Sequence, residues 1–468
     1  MISIILAGGA GSRLWPLSRK FFPKFLLKIG NKKYSLFQQT FLRVKKFTPL
    51  EKIFIVVNKE YKFLIKEAIQ DLNIKYPFTN IISEPEVKNT LPAISLGCYY
   101  VRRNKCLKED EVVGIFPSDH IIRPLNKFSK YVKKAKKLAQ QNNIVIFGIK
   151  PTRIETDYGY IEVKEKIIND DEDNVYKVEK FIEKPNFDLA KNLIEAGNVY
   201  WNGGIFFFSL KTFFEELKLY QRSLYEIFEN LDFEKTETFY NKINPVSIDK
   251  GIIEKTNKLV MLALNDIFWD DVGSWLALER IYKKDKNNNI FISKKNVDFE
   301  SKNSIVFGDK RLIVSVGLDN LIVVDTEDAL LIINKNYISK LKEIVEKIKN
   351  DTTKYHKTVQ RPWGFYTILL QKESYKLKLI NILPQKKISL QKHLKRSEMW
   401  FVVSGVAEIT YKDKVITLKN GETFKVEKGV PHRLKNPSKT KILEMVELSQ
   451  GRYLLEDDIV KLEDDVIF

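Results

Sequence analysis

The sequence predicts a three-layer α/β domain with a mostly parallel sheet, then a short β-rich segment, then an all-β domain. Three observations carry that reading. Apolar bursts alternate with amphipathic stretches to about residue 260, the rhythm of repeated βαβ units. From about residue 290 to 335 the pieces are short, β-rich and separated by turn residues. Beyond Arg361 nearly every segment alternates in short strands punctuated by glycine and proline, as in a sandwich or barrel such as a jelly roll.

Taken in order, Ile2 to Leu6 reads as a first strand, Ile53 to Val57 as a buried one and Tyr61 to Leu72 as a helix. Val112 to Phe116 is a strand, Phe128 to Gln141 a helix and Ile144 to Phe147 a strand. Ligands of such sheets sit at the carboxyl ends of strands, where the glycine-rich stretch after Leu6 and Pro117-Ser118-Asp119-His120 both fall. The pieces Ile290 to Ile292, Ile305 to Phe307, Leu312 to Val314, Leu321 to Val324 and Leu330 to Ile333 fit a short β-solenoid or a meander; their irregular period leaves both open. Tyr337 to Lys349 reads as a charged helix. Strands then run from Phe365 to Leu370, Tyr375 to Ile382, Met399 to Val403, Ala407 to Tyr411 and Lys414 to Leu418. The expected division is residues 1–285 for the α/β domain, 286–350 for the β-rich segment and its helix, 351–358 for a polar linker and 359–468 for the all-β domain.

The chain has 468 residues, enough for about three domains, and 44% hydrophobic residues give each an ordinary core. A net charge of +19 raises the question of a nucleic acid or a membrane. The lysines are spread along the chain without a basic block, so neither partner is expected and the excess favours anionic small substrates. Cys98 and Cys106 fit neither a disulfide framework nor a zinc knuckle, and two thiols suit a reducing cytosol. The apolar start is too short for a secretory core, and no run approaches a membrane span. A cytoplasmic location is expected.

The most informative stretch is Leu6-Ala7-Gly8-Gly9-Ala10-Gly11-Ser12-Arg13-Leu14-Trp15-Pro16-Leu17-Ser18-Arg19, with Pro23-Lys24-Phe25 after it. Gly8, Gly9 and Gly11 let the backbone approach an oxyanion, and Arg13, Arg19 and Lys24 set positive charge where a triphosphate would lie. A dinucleotide fingerprint is excluded because Leu14 stands where its third glycine belongs. A Walker loop is excluded because no Gly-Lys-Ser or Gly-Lys-Thr follows. Asp119 after a strand and Asp271 in Trp269-Asp270-Asp271-Val272-Gly273-Ser274-Trp275 are carboxylates suited to Mg2+ on phosphate oxygens, although either could be a capping aspartate. Glu183-Lys184-Pro185, Asn202-Gly203-Gly204 and Asp157-Tyr158-Gly159-Tyr160 suit a sugar phosphate; Glu84, Asn89 and Thr90 lie in a polar loop available to a base or ribose. Singly, each of these is equally an ordinary turn.

In the last domain Gln391 and His393 share a strand face, and Glu398 and His432 complete an N/O set for a divalent metal such as Zn2+. Surface histidines on a barrel are the alternative.

Together these motifs resemble the sugar-nucleotide pyrophosphorylase superfamily, and more narrowly the long bacterial mannose-1-phosphate guanylyltransferases fused to a mannose-6-phosphate isomerase domain. The resemblance runs in order through the glycine loop, Pro23-Lys24-Phe25, Glu84-Pro85 with Asn89-Thr90, Pro117 to His120, Gly159-Tyr160-Ile161, Glu183-Lys184-Pro185, Trp201 to Phe206, Ser247-Ile248-Asp249, Glu254-Lys255, Trp269 to Trp275 and Arg361-Pro362-Trp363-Gly364. It implies a Rossmann-like nucleotidyltransferase domain and a cupin jelly roll. It also implies GTP and mannose 1-phosphate as substrates, with Arg13 and Lys24 as catalytic cations and Asp119 and Asp271 as Mg2+ ligands. Gly8, Gly9, Gly11, Ser12, Arg13, Glu84, Asn89 and Thr90 would bind nucleotide, and Gly159, Glu183, Lys184 and Asn202 sugar phosphate. In the cupin it implies Gln391, His393, Glu398 and His432 as metal ligands and Arg433 as a catalytic arginine. Lys395 and Met399 replace two histidines of the family's signature, and Lys395 would weaken a metal site if it points inward. The cupin is then either an isomerase or a stabilising, dimer-forming module; a homodimer is the expected assembly. A pyrophosphorylase for another nucleotide sugar is the remaining alternative.

Overall fold

The computed structural model describes every residue except 10, 105–107, 167–173, 294, 309, 349 and 464–468; Cys106 and the end of the expected charged helix, Lys349, fall outside. The chain divides into two units, Met1–Val324 with Leu331–Lys347 and Asp325–Leu330 with Ile348–Phe468.

A nine-stranded sheet organises the first unit, in the order 81–84, 53–58, 2–7, 112–117, 199–209, 144–149, 259–263, 175–183 and 159–166. Its first four strands are parallel neighbours. Val199–Ser209 then runs antiparallel between Val112–Pro117 and Ile144–Ile149, and the far edge is antiparallel too. The sheet is therefore mixed, not mostly parallel. The parallel βαβ rhythm covers the first four strands; beyond them only Gly159–Lys166 and Val175–Glu183 turn back directly on each other, and Val199–Ser209 enters antiparallel after the helix Phe187–Ala196.

Strand alternation splits the interior in two. Ile5, Ala7, Ile55 and Val57 face a core covered by the helices Leu36–Val44, Lys62–Gln70 and Leu125–Ala139. Ile2, Ile4, Phe54 and Val56 face a second core under Thr90–Asn104 and Leu210–Tyr220. That makes three layers, and each fully buried Ile, Val or Phe contributes ~1.5–3 kcal/mol. Ser35 begins the first helix in a capping box: its Oγ accepts from Gln38 N, and Gln38 Oε1 accepts from Ser35 N.

The β-rich segment is a solenoid rather than a meander, because its strands pair in parallel and coil between two sheets. Ile290–Ser293 pairs with Ile305–Gly308, and Asn296–Phe299 with Ile313–Val316. Asn289 bridges successive coils through Ser301 O and Ser304 N. Instead of one long helix from Tyr337, a 3-10 stretch Lys335–Lys340 capped by Asn334 leads into the shorter helix Leu341–Lys347, which packs against the Ser12–Leu14 turn.

In the second unit a six-stranded sheet, ordered 358–361, 364–371, 375–382, 443–451, 396–404 and 423–426, and a five-stranded one, ordered 414–419, 406–411, 432–435, 390–393 and 459–463, form an antiparallel jelly roll. Trp400, Val402, Ile409, Leu434 and Met445 fill its core. Cys98 is buried. No described helix is long and apolar enough to cross a membrane.

Candidate active site

Strand Ile2–Ala7 delivers the chain into the glycine loop. Gly9 and Gly11 have φ of 83° and 70°, the left-handed region that glycine enters freely. Space beside Gly8 and Gly9 is open among the described residues, whereas a Cβ on Gly11 would stand 2.4 Å from Lys24 Cβ. Gly11 therefore lets the Lys24 stem lie against the loop, and Ser18 Oγ donates to Gly11 O at 2.6 Å to hold it. Ser12 opens the short 3-10 turn that presents Arg13. Arg13 is exposed and holds Asp157 through two bonds, 2.8 and 3.0 Å. Arg19 corrects the sequence reading: it is 2% exposed, with its guanidinium over the Trp15 ring, so it does not reach the loop's open face.

Lys24 is the hub. Its ammonium lies 2.7 Å from Asp119 Oδ2 and donates to the backbone carbonyl of Asp271. Two strand ends remote in sequence thus meet beside Gly11. Tyr158 OH donates to Asp271 Oδ1 at 2.6 Å, and Trp269 Nε1 donates to His120 Nδ1 at 3.3 Å. Burial alone would raise the Asp119 carboxyl, but Lys24 outweighs it and the net shift is downward. Burial lowers His120 against the pull of Asp119 and Asp271, favouring neutral imidazole. Val272, between Asp271 and Gly273, has φ of 51° and is fully buried. A β-branched residue there is strained, and Asp270 holds it: Oδ1 accepts from Val272 N at 2.8 Å while Oδ2 pairs with Arg280 at 2.5 Å.

Gly159 and Glu183 are register partners on adjacent strands. A Cβ on Gly159 would meet Phe181 at 2.6 Å and Glu183 Oε2 at 3.0 Å. Lys184, at φ of 50°, pairs with Glu183 at 3.2 Å. Asn202 Oδ1 accepts from Gly204 N, and its Nδ2 donates to Asp249 Oδ1 at 2.9 Å. Glu84, Asn89 and Thr90 are engaged in bracing their own loop. Glu84 is turned inward and accepts from Tyr240 OH, Asn89 Oδ1 accepts from Thr90 N, and Thr90 Oγ1 accepts from Ile248 N. Asp157, Tyr158, His120 and Asp249 were not singled out by the sequence, although each lies inside a motif quoted for a neighbour.

The second unit has its own cluster. Ligand atoms of His393, Glu398 and His432 all lie within 4.8 Å of one another, and Gln391 is the register partner of His432. His432 Nδ1 is 2.9 Å from Val430 O, so that nitrogen carries the proton and the buried Nε2, which has no hydrogen-bond partner, presents its lone pair. Glu398 lies 3.0 Å from His393 Nε2 and accepts from Arg396 Nε and Trp400 Nε1. Burial raises its carboxyl, but His393 and Arg396 hold it well below the usual range. Lys395 does not point inward: its ammonium lies 4.0 Å over the Tyr453 ring. Met399 is 39% exposed, on the strand face opposite Glu398. Arg433 likewise alternates away from His432 and pairs with Glu463 at 3.0 Å, so the structure does not bring it to the cluster.

Fold and sites together define a nucleotide-handling α/β domain continued by a solenoid and a cupin. Residues 2–288 match the nucleotidyl transferase family, 294–348 the MannoseP isomerase/GMP-like beta-helix domain and 348–464 the mannose-6-phosphate isomerase C-terminal family. A mannose-1-phosphate guanylyltransferase of Salmonella muenchen is 36% identical across 99% of this chain and 98% of that protein. The xanthan biosynthesis protein XanB of Xanthomonas campestris is 37% identical across 99% and 98%. The crystal structure named mannose-1-phosphate geranyltransferase from Thermus thermophilus is 27% identical, covers 75% of this chain and 99% of its own, and superposes with a TM-score of 0.66. The chain belongs to the mannose-1-phosphate guanylyltransferase family, in the form that carries a mannose-6-phosphate isomerase C-terminal domain.

Proposed function

We propose that the first unit transfers GMP from GTP to mannose 1-phosphate, giving GDP-mannose and pyrophosphate. The observation that carries this is the Lys24 ammonium set between the Asp119 carboxylate and the Asp271 carbonyl beside the glycine loop. A phosphate oxygen of mannose 1-phosphate attacks the α-phosphorus of GTP; the bond to the bridging oxygen breaks and pyrophosphate leaves. Open backbone at Gly8 and Gly9 cradles the phosphates, Gly11 seats the Lys24 stem, Ser12 supports the turn, and Lys24 and Arg13 stabilise charge on the transferring and leaving groups. Glu183, Lys184, Gly159 and Asn202 hold the sugar phosphate, and the Glu84 to Thr90 loop shapes the nucleotide side. Two partly accessible carboxylates from separate loops fit Mg2+, which keeps waters and takes phosphate oxygens. Asp119 and Asp271 would hold it, and it would neutralise the triphosphate. No covalent nucleophile is required, so catalysis is positioning and electrostatics.

The second unit, in the same proposal, interconverts fructose 6-phosphate and mannose 6-phosphate. The bare His432 Nε2 beside His393 and Glu398 fits a divalent metal such as Zn2+. With Gln391 these residues would hold it, and it would polarise the carbonyl while a proton moves between adjacent carbons.

The test supplies GTP with mannose 1-phosphate, and separately fructose 6-phosphate, with and without a chelator. GDP-mannose in the first reaction and mannose 6-phosphate in the second are expected, both lost with chelator. Asp271→Asn should abolish only the first; unchanged GDP-mannose formation by that variant refutes the site assignment.

A pH dependence accompanies the sugar site. Asp249 is pushed up to about 7, first by burial and then by Glu183, with Glu254 adding and Lys184 opposing. Below that pH it is neutral; above it a second carboxylate faces Glu183 and repels a phosphorylated sugar. The KM for mannose 1-phosphate should rise through about pH 7, and Asp249→Asn should remove that inflection. Superimposable KM profiles for the two proteins would rule the assignment out.

A further inference from the structure

A pocket of roughly 440 Å3 in the first unit lies outside the machinery described above. Arg43, Lys45 and Lys46 supply three cations to its wall, Asn31 and Tyr34 supply neutral hydrogen-bonding groups, Gln39 commits its amide NH2 to the Ile29 and Tyr34 carbonyls, and the rest is aliphatic. No carboxylate lines it among the described residues. Lys45 and Lys46 are exposed and form no ion pair among the described residues. Asn31 uses only Oδ1 in the loop, toward Lys33 N and Tyr34 N, leaving its amide NH2 to offer.

Arg43 is the unusual member. It is 6% exposed with its guanidinium over the Phe128 ring, and no carboxylate offsets its charge among the described residues. One terminal nitrogen donates to Thr40 Oγ1 at 2.7 Å and to the His120 carbonyl at 3.1 Å, while its buried Nε has no hydrogen-bond partner. A buried cation without an anion is unfavourable, and an anionic occupant of the pocket would relieve it. The volume is that of a small-molecule site, larger than a bare phosphate needs.

The pocket also adjoins both aspartate loops. Arg43 holds the carbonyl of His120, the neighbour of Asp119. Ile122, in its wall, pairs with Trp269 across the two-stranded sheet that leads into Asp271.

We propose that this pocket binds an organic phosphate, a phosphate ester or diphosphate bearing a polar ring such as a sugar. Its occupancy adjusts the transfer reaction through the Arg43–His120 bond. The regulatory half rests on the proposed guanylyltransferase reading; the binding half does not.

Calorimetry on the full chain separates the two. GDP-mannose, mannose 1-phosphate and inorganic phosphate are titrated into the wild type, Lys24→Met, and a Lys45→Glu/Lys46→Glu double variant whose melting temperature is checked. The expected result is a binding event for one of the organic phosphates that survives in Lys24→Met and weakens at least about tenfold in the double variant. Rate measurements should then show the double variant retaining basal turnover but losing the response to that ligand. Undiminished binding in the double variant, inorganic phosphate binding as tightly as the organic ligands, or lost binding with an unchanged rate response would each overturn the proposal. Failure of the chain to make GDP-mannose would leave the calorimetric outcome readable by itself.

Discussion

Lys24→Met should lower kcat for GDP-mannose formation by about 10²–10³, the usual consequence of removing one preorganised donor to developing phosphate charge. Methionine keeps most of the stem that packs against Gly11, so the loop should survive. What disappears is the ammonium joining Asp119 to the Asp271 carbonyl. Its loss has a second readout with a defined sign. The folded Asp119 carboxyl is lowered, so the pair stabilises the protein above the unfolded carboxyl value, about 3.9, and that stabilisation fades as pH falls through the folded value. The melting-temperature gap between wild type and variant should therefore be present at neutral pH and close in strong acid. Turnover within about threefold of wild type, with the fold intact by circular dichroism, would remove Lys24 from the chemistry.

The part of this site legible from sequence was the part encoded locally. Glycines at 8, 9 and 11 announce backbone that must approach something, and the structure gives a definite partner for Gly11, the stem of Lys24. Asp119 follows a strand of the nine-stranded sheet, where ligands of such sheets gather, whereas Asp271 is brought to it by the small antiparallel pair of Ile121–Arg123 with Phe268–Asp270. Partners were not legible, because they are chosen by pairing between distant strands. Tyr158 reaches Asp271, and Asp157 reaches Arg13, only once Gly159–Lys166 is folded against its neighbours. Side-chain direction failed at Arg19 and Glu84 for a related reason. Each sits in a polar motif, yet the turn after Pro16 carries Arg19 onto Trp15, and the pleat of the strand Ile81–Glu84 carries its last residue, Glu84, inward to Tyr240.

The fold shows the same division. Apolar bursts located strands well, since burial on both faces demands them. They carried no information on direction, so the antiparallel insertion of Val199–Ser209 into the sheet was missed. In the solenoid the period was obscured because coils differ in length: Ile290 meets Ile305 while Asn296 meets Ile313. In the cupin, strict alternation along Arg396–Ser404 was the usable signal, and it turns Met399, one of the two substituted positions, away from Glu398. Glu398 and Trp400 face inward, and Met399 faces out.

That alternation leads to the second large effect. His432→Ala should reduce fructose 6-phosphate isomerisation by at least about 10²-fold, since disturbing even outer-shell partners of a metal ligand typically costs 10–100-fold. GDP-mannose formation from mannose 1-phosphate should stay within about twofold, because the two reactions use separate residues. Bound divalent metal, measured by mass spectrometry on the purified chain, should fall in parallel. His432 is fully buried, so its removal could act through packing alone. His432→Gln keeps an oxygen and nitrogen donor with more of the volume, and should restore folding without restoring full activity. Lys395→His and Met399→His supply the converse test. Lys395 lies over Tyr453 and Met399 is exposed on the outer strand face, so neither reversion should raise metal content or isomerisation by more than about twofold. A large gain from either would mean that the family's missing histidines reach the metal, and that His393, Glu398 and His432 are not sufficient without them.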